Sequence, residues 1–204
     1  MMTEPASHRK HAILDAACRV IARDGAARLR VADVAAEAGV STALVHYYFP
    51  ARADVIQAAF GHADDLADAV AEAKLRAIAT GRGRVEKLFA TWAGDDPAIR
   101  ANWAVWNEMW QYAAHNEGAR ARVESSHRRW LEQIHDLIAE GVEDGSIPQT
   151  VEPWPAARRL AACVNDWGRE VLIGLRTARA LHRDLVATAE RELGPAKAAK
   201  GRAA

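Results

Sequence analysis

The amino-acid sequence predicts an all-α protein. Three observations carry that expectation. Apolar residues recur at i, i+3, i+4 and i+7 through most of the chain, and no strand-like alternation of any length is found. The third is punctuation: Gly25, Gly39, Gly81 with Gly83, Gly94-Asp95-Asp96-Pro97 and Gly145-Ser146 fall where the periodic segments stop or restart. There is no internal repeat.

Taken in order, residues 1–7 are expected to be disordered, with Arg9 and Lys10 at the edge of the first helix. His11 to Asp24 carries Ile13, Leu14, Ala17, Val20 and Ile21 at helical spacing, and Gly25 ends it. Two short helices follow within Val31 to Phe49, and Phe49-Pro50-Ala51-Arg52 turns into a long helix reaching about Ala79. Asp54 lies in the first turn of that helix, on the favourable side of its dipole. Its stripe is Ile56, Ala59, Phe60, Ala63, Leu66, Ala67 and Val70, with Asp64, Asp65, Asp68 and Glu72 off it.

Gly81 and Gly83 are read as breakers before a shorter helix, Val85 to Ala93. Asp96 caps and Pro97 opens the next one, which runs to His115. A long amphipathic helix extends to about Glu143 with Val123, His127, Trp130, Leu131, Ile134, Leu137, Ile138 and Gly141 on its stripe. Pro153 and Pro155 open another, to about Arg176, and a last helix covers Leu181 to Leu193. Gly194 to Ala204 reads as a frayed basic tail.

The stretch Val31 to Phe49 holds the most information. Val34, Ala35 and Ala38 give its first helix one apolar face, and Gly39 follows where the chain needs a left-handed residue. Val40 plugs the corner and Ser41 caps the second helix. Val45 and Tyr48 or Phe49 point back, which leaves Thr42, Ala43, Leu44, His46 and Tyr47 facing outward. That is a helix-turn-helix, whose second helix enters the DNA major groove. The alternative is a helical hairpin inside an ordinary bundle. The outward face favours DNA, because small, hydroxyl, aromatic and imidazole groups suit base edges and phosphates, whereas a bundle surface would carry charges.

Composition bounds the rest. Lysine plus arginine and aspartate plus glutamate balance at 27 each, which excludes a strongly basic nucleic-acid coat. Any DNA affinity must come from placed contacts and from pairing two copies. Cys18 and Cys163 lie in apolar helical patterns outside any CxxC, so reduced buried thiols are expected. No apolar run approaches a membrane span and the first residues are no secretory signal, so a cytoplasmic protein without a membrane partner is expected.

Seven tryptophans are many for this length. Trp103, Trp106 and Trp110 share one helix face, with Trp92 just upstream, and such stripes are core as a first reading. The functional reading is a pocket of aromatic faces for a cationic or flat apolar effector, with Asn165, Asp166 and Glu170 near Trp167 as counter-charge. His127 is a core or interface histidine by default and a pocket group otherwise. Helices Val123–Val142 and Ala157–Arg176 have broad apolar faces with small residues, among them Gly141, Ala161, Ala162 and Gly174. Through Trp130, Ile134, Leu137, Gly141, Leu160, Val164 and Val171, two copies could pack as four helices; otherwise these faces line one subunit's core.

The run GxxxLRVADVAAEAGVSTALVHYYF, leading through a turn to Arg52 and a long helix, resembles tetracycline-repressor-like (TetR) transcriptional regulators. The resemblance is dense from Ile13 to Ile56 and diffuse beyond. The segments PAIRANWAVWNEMW and RWLEQIHDLIAEGVEDGSI are most similar to the choline-responsive BetI subgroup. It implies a helix-turn-helix DNA-binding domain at 1–52, a helical regulatory and dimerisation domain at 53–194 and a flexible tail at 195–204. It implies a repressor that binds a palindromic operator as a homodimer and is released by a small-molecule effector, with no cofactor, metal or catalysis. Ser41, Thr42, Ala43, Leu44, His46 and Tyr47 become operator contacts, Tyr47 on a phosphate. Arg52 stands where the family usually has a backbone-gripping lysine, and Arg30 where a Ser or Thr usually caps, supplying a cation instead. Ala43 stands for a frequent glycine and His46 for a frequent tyrosine, so operator preference does not transfer. The effector is expected between the Asp54–Ala79 helix and its neighbours, tilting that helix and, through Arg52, the reading module.

Two other classes were weighed. A helical protein–protein adaptor would keep its activity without Tyr47 and Arg52. A metal-dependent bundle enzyme could use the E-x-x-H pairs Glu124/His127 and Glu132/His135, but both lie on one helix, roughly 12 Å apart by helical rise.

Overall fold

The computed structural model describes residues 6–195, so the readings of residues 1–5 and of the tail beyond Pro195 lie outside the described residues. Within them the elements are α1 (Ala6–Asp24), a 3-10 turn (Ala26–Arg28), α2 (Val31–Ala38), α3 (Thr42–Tyr48), α4 (Arg52–Leu75), α5 (Gly81–Trp92), α6 (Pro97–Ala114), α7 (Glu117–Glu143), α8 (Pro153–Leu172) and α9 (Ala178–Leu193). The described residues are helical with no strand. No helix among them is long and apolar enough to cross a membrane.

Local chemistry sets most boundaries. Asp96 accepts from the Ala98 N–H at 2.8 Å with Pro97 opening α6, and Thr177 accepts from Ala180 at 3.1 Å to begin α9. Ser7, expected in a disordered segment, belongs to α1. Gly81, expected to break the chain's periodicity, instead opens α5. Thr80 caps that helix by accepting from Gly83, and the Asp144 carboxylate takes the Gly81 N–H at 2.8 Å.

The chain forms two compact units. One runs to Val70 and resumes over Asp96–Ser126; the other covers Ala71–Asp95 and resumes at His127. The first unit's core brings Ile13, Val20 and Ile21 of α1 together with Val34 and Ala35 of α2 and Val45 of α3. Ile56, Ala59 and Phe60 of α4 and Val105 and Met109 of α6 complete it. The expected α4 stripe holds as far as Ala63 and then fails: Leu66 and Val70 are exposed, while Asp64, expected off the stripe, is only 3% exposed. The reason is a tertiary pair. Arg122 of α7 reaches an Asp64 oxygen at 3.0 Å, and the Ser126 hydroxyl donates to the same oxygen. Gly61 makes room for that guanidinium, since a Cβ there would lie 2.8 Å from Arg122 Nη2.

In the second unit α5 and the end of α7 touch backbone to backbone. A Cβ on Gly81 would lie 2.1 Å from the Gly141 nitrogen and 2.5 Å from the Leu137 oxygen. Leu88, Ile138 and Ile147, and Leu160, Val164, Leu181 and Leu185 of α8 and α9, are all fully or almost fully buried. Ile134, Leu137, Gly141, Leu160, Val164 and Val171, the residues expected on a dimer surface, are buried within one subunit. Trp130 is half-buried and turned edge-on to Trp92, their ring centroids 6.2 Å apart.

Candidate nucleic-acid interface and effector residues

The reading module is built from short-range chemistry. Gly39 takes the left-handed conformation (φ 67°, ψ 32°), closing α2 with its N–H on the Ala35 and Ala36 carbonyls. Ser41, extended, caps α3 by accepting from the Leu44 N–H at 3.2 Å. Val45 and Phe49 are buried, and Lys10 of α1 lies 5.8 Å above the Phe49 ring. These contacts fix which way α3 faces. Ser41, Thr42, Ala43, His46 and Tyr47 are exposed, Tyr47 at 78%. Leu44, expected to face outward, is half-buried and packs at the core's edge.

Two details sharpen the chemistry of that face. The Tyr47 ring stands edge-on to Tyr48, centroids 5.1 Å apart, which holds the phenol away from the core. His46 Nδ1 lies 3.3 Å from the Pro50 carbonyl, which only accepts, so the contact is a hydrogen bond in the tautomer that carries its proton on Nδ1.

The two arginines part company. Arg30 is exposed at the start of α2, extended and making no side-chain cap, as the loss of a Ser or Thr there requires. Arg52 is not extended toward solvent beside α3. Its Nε donates to the Leu29 carbonyl at 2.7 Å, and its Nη2 donates to those of Ala26 and Ala27 at 2.8 and 2.6 Å.

The residues expected to hold an effector fall on both units. In the first, Trp103 and Trp106 of α6 are half-buried, Trp106 against the reading module's core, and Trp110 is 41% exposed. In the second, Trp92 is 8% exposed and meets Trp130. Neither indole had been expected to pair with the other. His127 is half-buried, and desolvation lowers its pKa, favouring the uncharged ring. Arg176 lies over the Trp167 ring at 5.0 Å, held there by Glu170 and Asp184. The chain's own cation occupies one face of that indole, and Glu170 is paired with that cation. Asp166 faces solvent. His135, one of the E-x-x-H histidines, is stacked on Trp154 at 4.3 Å.

A capped seven-residue helix, set by a left-handed glycine corner and presenting hydroxyl, imidazole and phenol groups, defines a helix-turn-helix DNA-binding protein. Comparisons with known proteins agree. The family model for bacterial regulatory proteins of the tetR family matches residues 13–59, and the one for the BetI-type transcriptional repressor C-terminal region matches residues 81–192. The chain belongs to the TetR family, in its BetI-type branch.

Among relatives, the HTH-type transcriptional regulator BetI of Rhizobium meliloti is 34% identical over 116 residues, which span 55% of each chain. A TetR-family transcriptional regulator from Rhodococcus sp. superposes with a TM-score of 0.83 at 28% identity, covering 92% of this chain and 100% of that one. A transcriptional regulator from Saccharomonospora viridis, solved in complex with choline, superposes at 0.81 with 27% identity over 95% and 100% of the two chains.

Proposed function

We propose that this protein is a homodimeric repressor, rather than an enzyme, that holds a near-palindromic operator through α3 and releases it on binding a quaternary-ammonium effector of the choline type. The observation that carries the DNA reading is the exposed face of α3: Thr42, Ala43, His46 and Tyr47 stand clear while Val45 and Phe49 are locked inward. Thr42 and His46 would hydrogen-bond base edges, Ala43 would meet a thymine methyl, Ser41 and Tyr47 would contact phosphates, and Arg30 would add a cation. Residues 1–52 act as the reading head, 53–194 as the regulatory and dimerising body, and 195–204 as a tail.

Dimerisation is needed because the head is nearly neutral, with seven Lys or Arg against five Asp or Glu up to Arg52. Two heads one helical turn apart (~34 Å) on a symmetric duplex supply the missing affinity. The surface for the second copy uses apolar groups that one subunit leaves exposed, such as Ile173 and Leu175 after α8 and Val186 on α9. The effector reading is supported by the tryptophans and by the choline-bound relative. Aromatic faces attract a desolvated cation by roughly 0.5–2 kcal/mol each. Trp103, Trp106 and Trp110 in the first unit, and Trp92 and His127 in the second, are each candidates for it within their own unit. Release is a population shift, in which the effector favours a conformation whose two heads are out of operator register.

Selection of bound fragments from the source genome, followed by titration of choline chloride by calorimetry and by operator displacement, tests this. A symmetric site released by choline is expected. A lone subunit that ignores every fragment at moderate salt overturns the proposal, and choline binding at unchanged operator affinity overturns the coupling.

A further inference from the structure

We infer that Arg52 and Glu108 are positioning residues for operator binding: from α4 and α6 they clamp the link of residues 26–29 that sets where the reading module begins, and the Arg52 cation is spent there rather than on a DNA phosphate. The inference rests on the DNA-binding reading above.

The link is short and buried where it matters. Gly25 leaves α1 with φ 88°, the 3-10 turn follows, and Arg30 is already the N-cap of α2. Ala26 and Leu29 are at 0% and 1% exposure, so their peptide groups need partners inside the protein. Within the turn, the Arg28 N–H donates to the Gly25 carbonyl at 3.1 Å. The remaining partners come from afar. Glu108 Oε2 accepts the Ala26 N–H at 3.0 Å across 82 residues of sequence. Arg52 holds the other side of the same peptide unit's residue, the Ala26 carbonyl, and those of Ala27 and Leu29 as well. One residue of the link is thus gripped at its N–H by α6 and at its C=O by α4.

The geometry is specific to the two side chains. A planar guanidinium presents Nε and Nη2 in a fixed fork, which matches carbonyls on successive residues; an ammonium cannot hold three of them in that arrangement. Gly25 is the complement on the other side. A Cβ there would come within 3.0 Å of Glu108 Oε2, crowding the carboxylate. With two of its three nitrogens on carbonyls, Arg52 is poorly placed to serve as the phosphate grip implied by its position in the motif. Arg30, exposed, is better placed for that contact.

The test uses full-length protein and two readouts. Amide hydrogen exchange at Ala26 and Arg28 needs no DNA. The Ala26 amide should be protected in the wild type, retained in E108Q, whose amide oxygen can still accept, and lost in E108A, with the α1 core amides unchanged in all three. Equal protection of Ala26 in E108A and wild type overturns the Glu108 assignment, whether or not an operator is ever found. Operator binding by anisotropy against salt then separates brace from phosphate grip. A brace predicts that R52K, which keeps the charge, binds about tenfold more weakly than wild type with an unchanged salt slope, as expected for loss of buried hydrogen bonds to the link. A phosphate grip predicts that R52K binds like wild type while R52A lowers the slope by about 0.9 per contact, and that pattern overturns the Arg52 assignment. R30A, by contrast, should lower the slope. Should R52K fold poorly, the salt titration of R52Q decides the same point: a slope lowered by about 0.9 refutes the brace.

Discussion

Substituting Gly81 by alanine tests the packing of the second unit most directly. The added Cβ would meet backbone on three sides, at 2.1 Å from Gly141 N, 2.5 Å from Leu137 O and 2.6 Å from Gly141 Cα. None of these atoms can rotate away, so α5 and α7 must part by roughly 1 Å, a gap that forfeits a quarter to a half of the dispersion energy across the contact. Overpacking of this kind costs about 1–3 kcal/mol. The same movement strains the Asp144 bond to the Gly81 N–H at 2.8 Å and the Ser146 hydroxyl's bond to the Arg82 N–H at 3.2 Å, each worth about 1 kcal/mol. Together these set an expectation of about 3–5 kcal/mol, or a fall in Tm of roughly 6–20 °C at about 2–4 °C per kcal/mol. Calorimetric melting reads it, with tryptophan emission as a second signal because α5 carries Trp92 and α7 carries Trp130. Gly118→Ala is the control: its Cβ would meet only the Gln57 and Asn116 side chains, at 3.3 and 3.5 Å, so a change within about 1 kcal/mol is expected. A Gly81→Ala protein melting within a degree or so of wild type would refute the backbone contact.

Three further outcomes are expected. Ser41→Ala removes the α3 cap and should cost about 1 kcal/mol, read as a lower Tm and a several-fold weaker operator complex; an unchanged operator complex would argue against α3 as the reading helix. The Cys18 thiol, which donates to the Ala59 carbonyl and whose pKa burial pushes up to about 12, should alkylate at pH 8 roughly 10³-fold more slowly than an ordinary thiol of pKa near 8.5; burial raises Cys163 too, and rapid labelling of Cys18 in the native protein would contradict its placement. Asp144 is desolvated, which raises its pKa, yet bonds from Ser146 and Gly81 outweigh this and lower it overall. Its stabilising contribution is therefore complete above the ordinary aspartate range and fades as acid titrates the folded carboxylate below that range; Asp144→Asn should flatten the acid limb of the stability curve, and an unaltered limb would exclude the role.

The parts of the structure that were legible in the sequence are those fixed by near neighbours. Gly39, Ser41, Val45 and Phe49 act within a few residues of one another, so spacing alone placed the corner, the cap and the outward face of α3. Asp96 with Pro97 marked the start of α6 for the same reason. Where the sequence misled, a distant partner had changed the local rule. Asp64 reads as a solvent-side residue on α4 until Arg122 and Ser126 arrive from α7 to satisfy it. Gly81 reads as a breaker until Asp144, 63 residues later, accepts its N–H. Small residues at Gly141 and Ala161 signal close approach without saying whether the neighbour is the same subunit or another; Gly141 meets Ile147 and Arg82 of its own chain. Trp167 carried an aromatic signal, but nothing in its spacing announced that Arg176 would cover it. Glu108 gave no signal at all, because a carboxylate between tryptophans on a helix does not reveal a backbone N–H that lies 82 residues away.

The Pro50 carbonyl beside His46 limits what the imidazole can say to a base pair. In the tautomer that carries its proton on Nδ1, the uncharged ring turns a lone pair outward at Nε2. Such a group is matched by an exocyclic amino hydrogen, the N6 of adenine or the N4 of cytosine, and is mismatched against the two acceptors of guanine's groove edge. On the proposed reading, a backbone oxygen two residues past the end of α3 would thereby narrow the alphabet that the helix can read.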